Sequence, residues 1–327
     1  MIHPGGGARG RSGWDSPPGN QLVALAGGTG AAKFLRGLCH VVPPEDLIVI
    51  VNTGDDWVVW GLYVSPDLDT VTYALAGLID ETKGWGVKDD TFRCLAAMAS
   101  LGEETWFNLG DKDLATHLFR TEQLRKGWTL SRVTESLRQK LSVRSRIFPM
   151  SDDHVATRIL TPDGWLAFQE FFVRDKGLAN VLEVTYDGAR DARPAPDVVE
   201  AISRARAVIV CPSNPVSSIG PILALPGIRE TLATTPARVV AVSPIVGGAP
   251  LSGPAGTMMR ARGLPVSPVG VALAYQGWLD VLVFDRQDAA LAPEVEALRI
   301  RTVTTETLMR DRHAEIALAR DVVEMLS

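Results

Sequence analysis

Cysteine is scarce in this chain: Cys39, Cys94 and Cys211 are far apart and none stands in a CxxC spacing. An odd, scattered set excludes a disulfide framework or a structural zinc site and suits a reducing, cytoplasmic setting. There is no basic excess either, since 33 Lys and Arg stand against 38 Asp and Glu for a formal net charge of -5. Binding to nucleic acid or an anionic membrane therefore has no general electrostatic drive. No apolar run approaches the ~18 to 20 residues that cross a bilayer. The opening stretch MIHPGGGARGRSGWDSPPGN lacks the apolar core of a secretion signal, and residues 1–20 read as a flexible leader. Fixed-period repeats are absent too.

What is present is ordinary soluble composition, 46% hydrophobic and 22% charged over 327 residues, enough for a sizeable core. Folded sequence is expected from QLVALAGGTGAAKFLRGL, which reads strand, loop, helix, and LIVIVN is a second buried strand. Asp69 and Thr70 are expected to cap a helix through VTYALAGLI, and Asp89 and Asp90 one through TFRCLAAMASL, within a helical insertion over about 70–141. From SRIFPM, β-branched and aromatic residues flank Pro162-Asp163-Gly164, which marks a hairpin in an inserted β element over about 145–190. After Ala195 helices and strands alternate again, with strands in AVIVCP, ARVVAVSPIV and DVLVFD and a closing helix through EIALARDVVEML. The pattern predicts one α/β domain over 21–327, a doubly wound, mostly parallel, Rossmann-like sheet with ligand sites at the carboxyl ends of its strands.

The loop Gly27-Gly28-Thr29-Gly30-Ala31-Ala32-Lys33 joins the first strand to a helix, so unhindered amides and the helix's positive end can face a phosphate, with Lys33 adding charge. A tight turn without ligand is the plain alternative. A dinucleotide fingerprint fails, because Lys33 stands in place of the third glycine and Asn52 where an acid would hold ribose. GxxxxGK[ST] is absent as well, which excludes a Walker-type ATPase.

VNTGDDWVVWGLYVSPDLDT sets Asp55, Asp56, Asp67 and Asp69 just beyond the second strand. Carboxylates gathered in one pocket raise one another's pKa, so the set implies a compensating cation or solvent exposure. A divalent ion answers the first case, and magnesium takes one or two carboxylates with phosphate oxygens and water, so four acids would not all be ligands. Capping and turn chemistry remain open for Asp56 and Asp69, while Asp55 and Asp67 have no such role. Ser213-Asn214-Pro215, Ser243-Pro244, the Gly-Asp-Lys-Asp run at 110–113 and Met150-Ser151-Asp152-Asp153-His154 are further polar stations at or near inferred strand ends, each weak alone.

In this order, GGTGAAK, NTGDDW, SPDLDT, GDKD, PMSDD, PSNPVSSIGPIL and SPIVGGAPLSGPAG resemble the 2-phospho-L-lactate transferase family over residues 22 to 286. These CofD-type enzymes of coenzyme F-420 biosynthesis include the actinobacterial phosphoenolpyruvyl transferases. The resemblance implies a doubly wound nucleotide-binding fold and a Mg²⁺-dependent transfer. A phospho-acyl unit (2-phospholactate, phosphoenolpyruvate or phosphoglycerate) would pass from a guanosine diphosphate-linked donor to the deazaflavin Fo, releasing GMP and forming coenzyme F-420-0 or its dehydro form. The implied phosphate loop falls on Gly27, Gly28, Thr29, Gly30 and Lys33, with Asn52 counted among the nucleotide-binding residues. The implied metal-associated acids are Asp55 and Asp67, and which member of each Asp pair touches the metal stays open. Contacts to Fo are implied for Asp67 or Asp69, Lys112, Ser213 and Asn214. Ala31-Ala32 replaces the Thr-Pro or Gly-Ala of other members.

The implied chemistry is attack of the ribityl hydroxyl of Fo on the donor's distal phosphorus, without a covalent intermediate, Asp67 and Asp69 being the catalytic candidates. A related CofD-like family of regulators, thought to bind nucleotide sugars without catalysis, is the alternative; its members show GGGTG and ADDGGSSG-like segments where this chain has NTGDDWVVWG and SPDLDT. Trp57, Trp60 and Trp85 either line the flat deazaflavin or pack in the core. A homodimer is the commonest expectation for a soluble enzyme.

Overall fold

A computed structural model describes residues 20–251 and 253–326. Apart from Asn20, the leader expected over residues 1–20 lies outside the described residues. Seven strands make one all-parallel sheet: Leu22–Ala26, Leu47–Val51, Arg146–Pro149, Ala207–Val210, Arg238–Val242, Val281–Asp285 and Arg301–Thr305. Counted along the chain, their order across the sheet is 7-6-5-4-1-2-3. The order reverses between the first and fourth strands, where Leu25 lies beside both Ile50 and Val210. Such a switch point opens a crevice at the carboxyl ends of the two central strands.

The apolar runs are continuous because both faces are covered. Leu22, Ala24 and Ala26 pack with Leu47, Val49 and Val51 on one face. Val23, Leu25, Ile48 and Ile50 serve the other. The first face is covered by helices Gly28–Leu38 and Arg312–Glu324, which approach so closely that a β-carbon on Gly37 would stand 2.2 Å from the Glu315 carbonyl oxygen. Helices Val198–Arg204, Ile228–Thr234 and Pro268–Ala274 cover the second. Among the described residues no helix is long and apolar enough to cross a membrane.

Several boundaries depart from the sequence reading. SRIFPM does not open the β element: Arg146–Pro149 pairs parallel with Leu47–Val51 and forms one edge of the main sheet. The three-stranded antiparallel piece is Ala156–Thr161, Gly164–Ala167 and Glu183–Asp187, with Gly164 at φ 120° in the hairpin turn. Arg301–Thr305 has no counterpart in the sequence reading, because an edge strand with Val303 as its one apolar residue, largely half-exposed, offers no buried run to read.

The helix placed at VTYALAGLI starts a turn earlier, at Pro66, whose fixed φ suits a first helical position. It ends at Leu75, and Gly77 at φ 67° turns the chain away before Ile79. Asp67 and Asp69 therefore lie inside its first turn and do not cap it.

Asp89 and Asp90 do not cap the helix Arg93–Ser100 either. Asp111 does so across the chain, accepting from the amides of Arg93 at 3.1 Å and Cys94 at 3.0 Å. Asp90 returns the arrangement by accepting from the amides of Lys112 at 2.8 Å and Asp113 at 3.1 Å, at the start of helix Asp111–Arg125. Gly110 is required between them, since a β-carbon there would lie 2.2 Å from Asp90 Oδ2. Helix Asp111–Arg125 carries the side chains that hold Asp69, so this exchange of caps steadies the acid-bearing helix at one remove. Asp90→Ala is expected to cost about 1 kcal/mol of stability, as loss of a capping carboxylate does, read as a lower urea midpoint at unchanged slope. Asp90→Asn should stay close to wild type.

Candidate active site

The crevice at the switch point is where the glycine loop and the polar turn after the fourth strand meet. Gly28 opens the first helix at φ 73°, a left-handed conformation that glycine adopts without penalty. Gly30 is needed for a different reason: a β-carbon there would stand 2.2 Å from the Pro212 carbonyl oxygen of the neighbouring turn. Ser213 ties the two turns together, donating through Oγ to the Gly27 carbonyl at 2.8 Å.

The acids come from the segment beyond the second strand. That segment folds as a short antiparallel hairpin, Trp57–Val59 with Leu62–Val64, between the Asp55-Asp56 turn and the helix that bears Asp67. Asp67 reaches the glycine loop: its Oδ1 accepts the Gly28 amide at 2.8 Å and its Oδ2 accepts Asn52 Nδ2 at 2.9 Å. The approach is close enough that a β-carbon on Gly27 would lie 2.6 Å from Asp67 Oδ2. A carboxylate thus occupies one of the amides that a phosphate would use, while the next two, of Thr29 and Gly30, have no acceptor among the described residues. Asn52 is fixed in turn, since its Oδ1 accepts the Gly54 amide at 2.8 Å and its Nδ2 also donates to the Ser217 carbonyl at 3.3 Å.

Asp55 is the anomaly of the site. It is buried, and its Oδ1 has no hydrogen-bond partner among the described residues. Burial, reinforced by the negative charge of Asp67, pushes its carboxyl well above the usual carboxylate range. Burial also pushes Asp67 up, to about 6, although the Asn52 and Gly28 hydrogen bonds oppose it. Asp56 is pushed up by burial to about 8 while its oxygens accept the Ser65 hydroxyl at 2.6 Å and the Tyr63 hydroxyl at 2.8 Å. Among the described residues no three His, Cys, Asp or Glu side chains gather into a metal site complete in itself. Two carboxylates, one with a bare buried oxygen, fit an ion that draws its remaining ligands from substrate and water.

The other residues singled out in the sequence are placed as follows. Asp69 is held by Arg120, whose Nη1 donates to Oδ2 at 3.0 Å and whose Nη2 donates to Oδ1. His117 lies behind it, with Nδ1 3.7 Å from Asp69 Oδ2 and Nε2 3.3 Å from Asp113 Oδ1, and Tyr73 donates to Asp113 at 2.7 Å. Burial raises the Asp113 carboxyl, but His117, the Tyr73 hydrogen bond and the Arg120 charge outweigh it and hold the group low. Lys33 is half-buried and makes no ion pair among the described residues. Lys112 is exposed, its Nζ donating to the Lys88 carbonyl at 2.9 Å, on the capped helix and not in the glycine loop. Asn214 accepts the amides of Val216 at 2.9 Å and Ser217 at 3.3 Å, which closes its own turn. Asp152 and Asp153 serve local structure, accepting from the amides of Ser131 at 2.7 Å and Arg193 at 2.8 Å respectively. Trp57 and Trp60 pack against Val59, Val64 and Leu109.

Sequence reasoning did not find Thr157, Gln169 or Arg120. The first two lie within the inserted β element, Thr157 in its first strand and Gln169 between its second and third, where the Thr157 amide donates to the Gly54 carbonyl at 2.7 Å and Gln169 Nε2 to the Asp55 carbonyl at 2.7 Å. They brace the acid turn from a hundred residues away, and no local spacing signals that.

Comparison with known proteins agrees with this architecture. The profile of the family described as 2-phospho-L-lactate transferase CofD matches residues 22–320. A 2-phospho-L-lactate transferase of Methanosarcina acetivorans is 45% identical over 302 residues, 92% of this chain and 98% of the relative. A phosphoenolpyruvate transferase of Streptomyces griseus is 45% identical over 311 residues, 93% of this chain and 98% of the relative. Among solved structures, a UPF0052 family member from Bacillus halodurans superposes with a TM-score of 0.66 at 16% identity, over 94% of this chain and 100% of that one, a likeness of fold alone. The chain belongs to the CofD family of 2-phospho-L-lactate transferases.

Proposed function

We propose that the protein transfers a phospho-acyl unit from a guanosine diphosphate-linked donor to the deazaflavin Fo, with Mg²⁺, releasing GMP. One observation carries the reading beyond family membership: a buried, unpartnered Asp55 oxygen beside Asp67, at the mouth of a glycine loop with two amides to offer. Two buried carboxyls with raised pKa values are costly to ionise together, and a cation beside them would lower that cost. The close relatives named as 2-phospho-L-lactate and phosphoenolpyruvate transferases support the substrate class.

Asp55 and Asp67 would hold Mg²⁺. Bound there, the ion supplies charge neutralisation to the donor's diphosphate. The rest of the work falls to the chain itself. The Thr29 and Gly30 amides and Lys33 steady the leaving GMP phosphate. Asn52 fixes the rotamer of Asp67 through its Nδ2, and Arg120 takes both oxygens of Asp69. Asp69 in that state positions its helix, with both oxygens engaged by Arg120. Phosphoryl displacement needs in-line placement and charge stabilisation more than a protein nucleophile, so no covalent intermediate forms. The regulator alternative is disfavoured because such a protein has no need of a bare carboxylate oxygen at its phosphate loop.

Three outcomes test the reading. Incubation of the protein with Fo, Mg²⁺ and each of the phospholactyl, phosphoenolpyruvyl and phosphoglyceryl donors should convert Fo to a heavier product by mass spectrometry; Fo recovered unmodified with all three would point to the regulator. Asp67→Asn should lower turnover on the order of 10²- to 10³-fold at saturating Mg²⁺, the range for losing one electrostatic element of a transition-state site, and unchanged turnover would remove Asp67 from the metal.

The third outcome concerns pH. Carboxyls raised in the folded state bind more protons there than in the unfolded chain, so their contribution destabilises the metal-free fold as pH climbs from near 4, through about 6 for Asp67, to about 8 for Asp56. In EDTA the melting temperature should therefore fall between pH 5 and pH 8, and added Mg²⁺ should raise it more at pH 8 than at pH 5. A metal-free protein that grows more stable across that range would contradict the assignment.

A further inference from the structure

The turn between Asp80 and Lys88 belongs to none of the elements used so far, yet it is strongly held. Its backbone closes on itself through the Asp80 amide to Gly86 at 3.0 Å, the Gly84 amide to Asp80 at 2.8 Å and the Lys88 amide to Leu78 at 2.7 Å. The Asp80 carboxylate accepts the amides of Thr82 at 3.0 Å and Lys83 at 3.2 Å. Glu81 clamps the turn to two helices, 3.4 Å from Arg36 of the first helix and 2.6 Å from Arg312 of the last. On its other side the turn rests on the glycine loop: Gly84, at φ 78°, lies so close to Thr29 that a β-carbon there would stand 3.0 Å from the Thr29 methyl.

We infer that this turn is a wall of the nucleotide site and that Lys83 supplies a cation to the diphosphate of a guanosine diphosphate moiety seated on the glycine loop. The inference rests on the functional reading above and assigns to it a residue that the phosphate-loop pattern does not contain. Lys83 is one peptide step, about 3.8 Å between α-carbons, from the residue that touches Thr29, and its four-carbon stem reaches beyond that distance. Its ammonium stands 5.7 Å from the Trp85 ring centre and 5.0 Å from that of Phe92, while 37% of the side chain stays open to solvent. Two rings thus flank the ammonium itself without closing it off from solvent. The partner Asp80 sits 3.0 Å away, and an ion pair this exposed is weak enough to admit a phosphate.

The test is equilibrium binding of GDP in the presence of Mg²⁺, by calorimetry, to the full chain and its variants. Lys83→Ala should weaken GDP about tenfold, and Lys83→Met, which keeps an unbranched apolar stem without the charge, should weaken it equally, as loss of one charge beside a phosphate does. Lys83→Arg should stay within about threefold and Lys88→Ala, on the same turn but with its amine on the Gly77 carbonyl at 3.0 Å, within about twofold. Affinity for Fo and the ligand-free melting temperature should not move in any of them. Wild-type binding of GDP with unchanged affinity in both Lys83→Ala and Lys83→Met overturns the inference alone. Wild-type protein that binds no guanine nucleotide overturns the functional reading along with it.

Discussion

The site depends on the placement of one carboxylate. Asp67 accepts the Gly28 amide and the Asn52 amide group, and by doing so it joins three separate pieces of chain: the glycine loop after the first strand, the residue ending the second, and the first turn of the helix Pro66–Leu75. Negative charge at a helix N-terminus is favourable, which is why the loop accepts it. The same position sets Asp67 against Asp55, whose Oδ1 is buried without a partner. Asp67 has two hydrogen bonds to account for its burial, and Asp55 Oδ1 has none among the described residues.

Much of this was legible in the sequence. The buried runs LVALA and LIVIV and the glycine loop follow from local pattern, because a parallel sheet forces its strands to be apolar on both faces and its ligands to one end, whereas the hydrogen bonds that give Asp67 a structural role do not. Failures came where the decisive partner was remote. Asp69 looks like a cap or a base from its own neighbours, and only the fold brings Arg120 from 51 residues away to engage it. Asp90 looks like the cap of the helix it precedes, yet Asp111 takes that role and Asp90 caps the next helix instead. Arg301–Thr305 and Arg146–Pro149 are the two edges of the sheet: the first is largely half-exposed and gives no buried run, while the second is buried and its place beside Leu47–Val51 is set by a pairing about a hundred residues away.

Ser213 and Asn214 show a second kind of limit. Their motif was informative about family, while their side chains close turns: the Ser213 hydroxyl on Gly27 and the Asn214 carbonyl oxygen on Val216 and Ser217. A motif at a site carries both the groups that meet ligand and the groups that shape the backbone around it, and residue identity alone does not separate them. Hydrogen-bond accounting shows the backbone-shaping part of each role, because it records which donors and acceptors are already matched inside the protein.

The same accounting bears on the buried ion pairs. Arg120 with Asp69 and Arg36 with Glu315 are nearly excluded from solvent, and desolvating such pairs offsets much of their attraction. Their worth lies in geometry. Removing one partner leaves a stranded charge, so each pair penalises any arrangement in which its two helices separate. Arg120 thereby ties helix Asp111–Arg125 to the turn that carries Asp67. Arg36 and Glu315 bind the glycine-loop helix to the last helix, at the level where Gly37 lets the two backbones meet. Held from both sides, the two carboxyls stay close, and the cost of ionising both appears as the raised pKa values of Asp55 and Asp67.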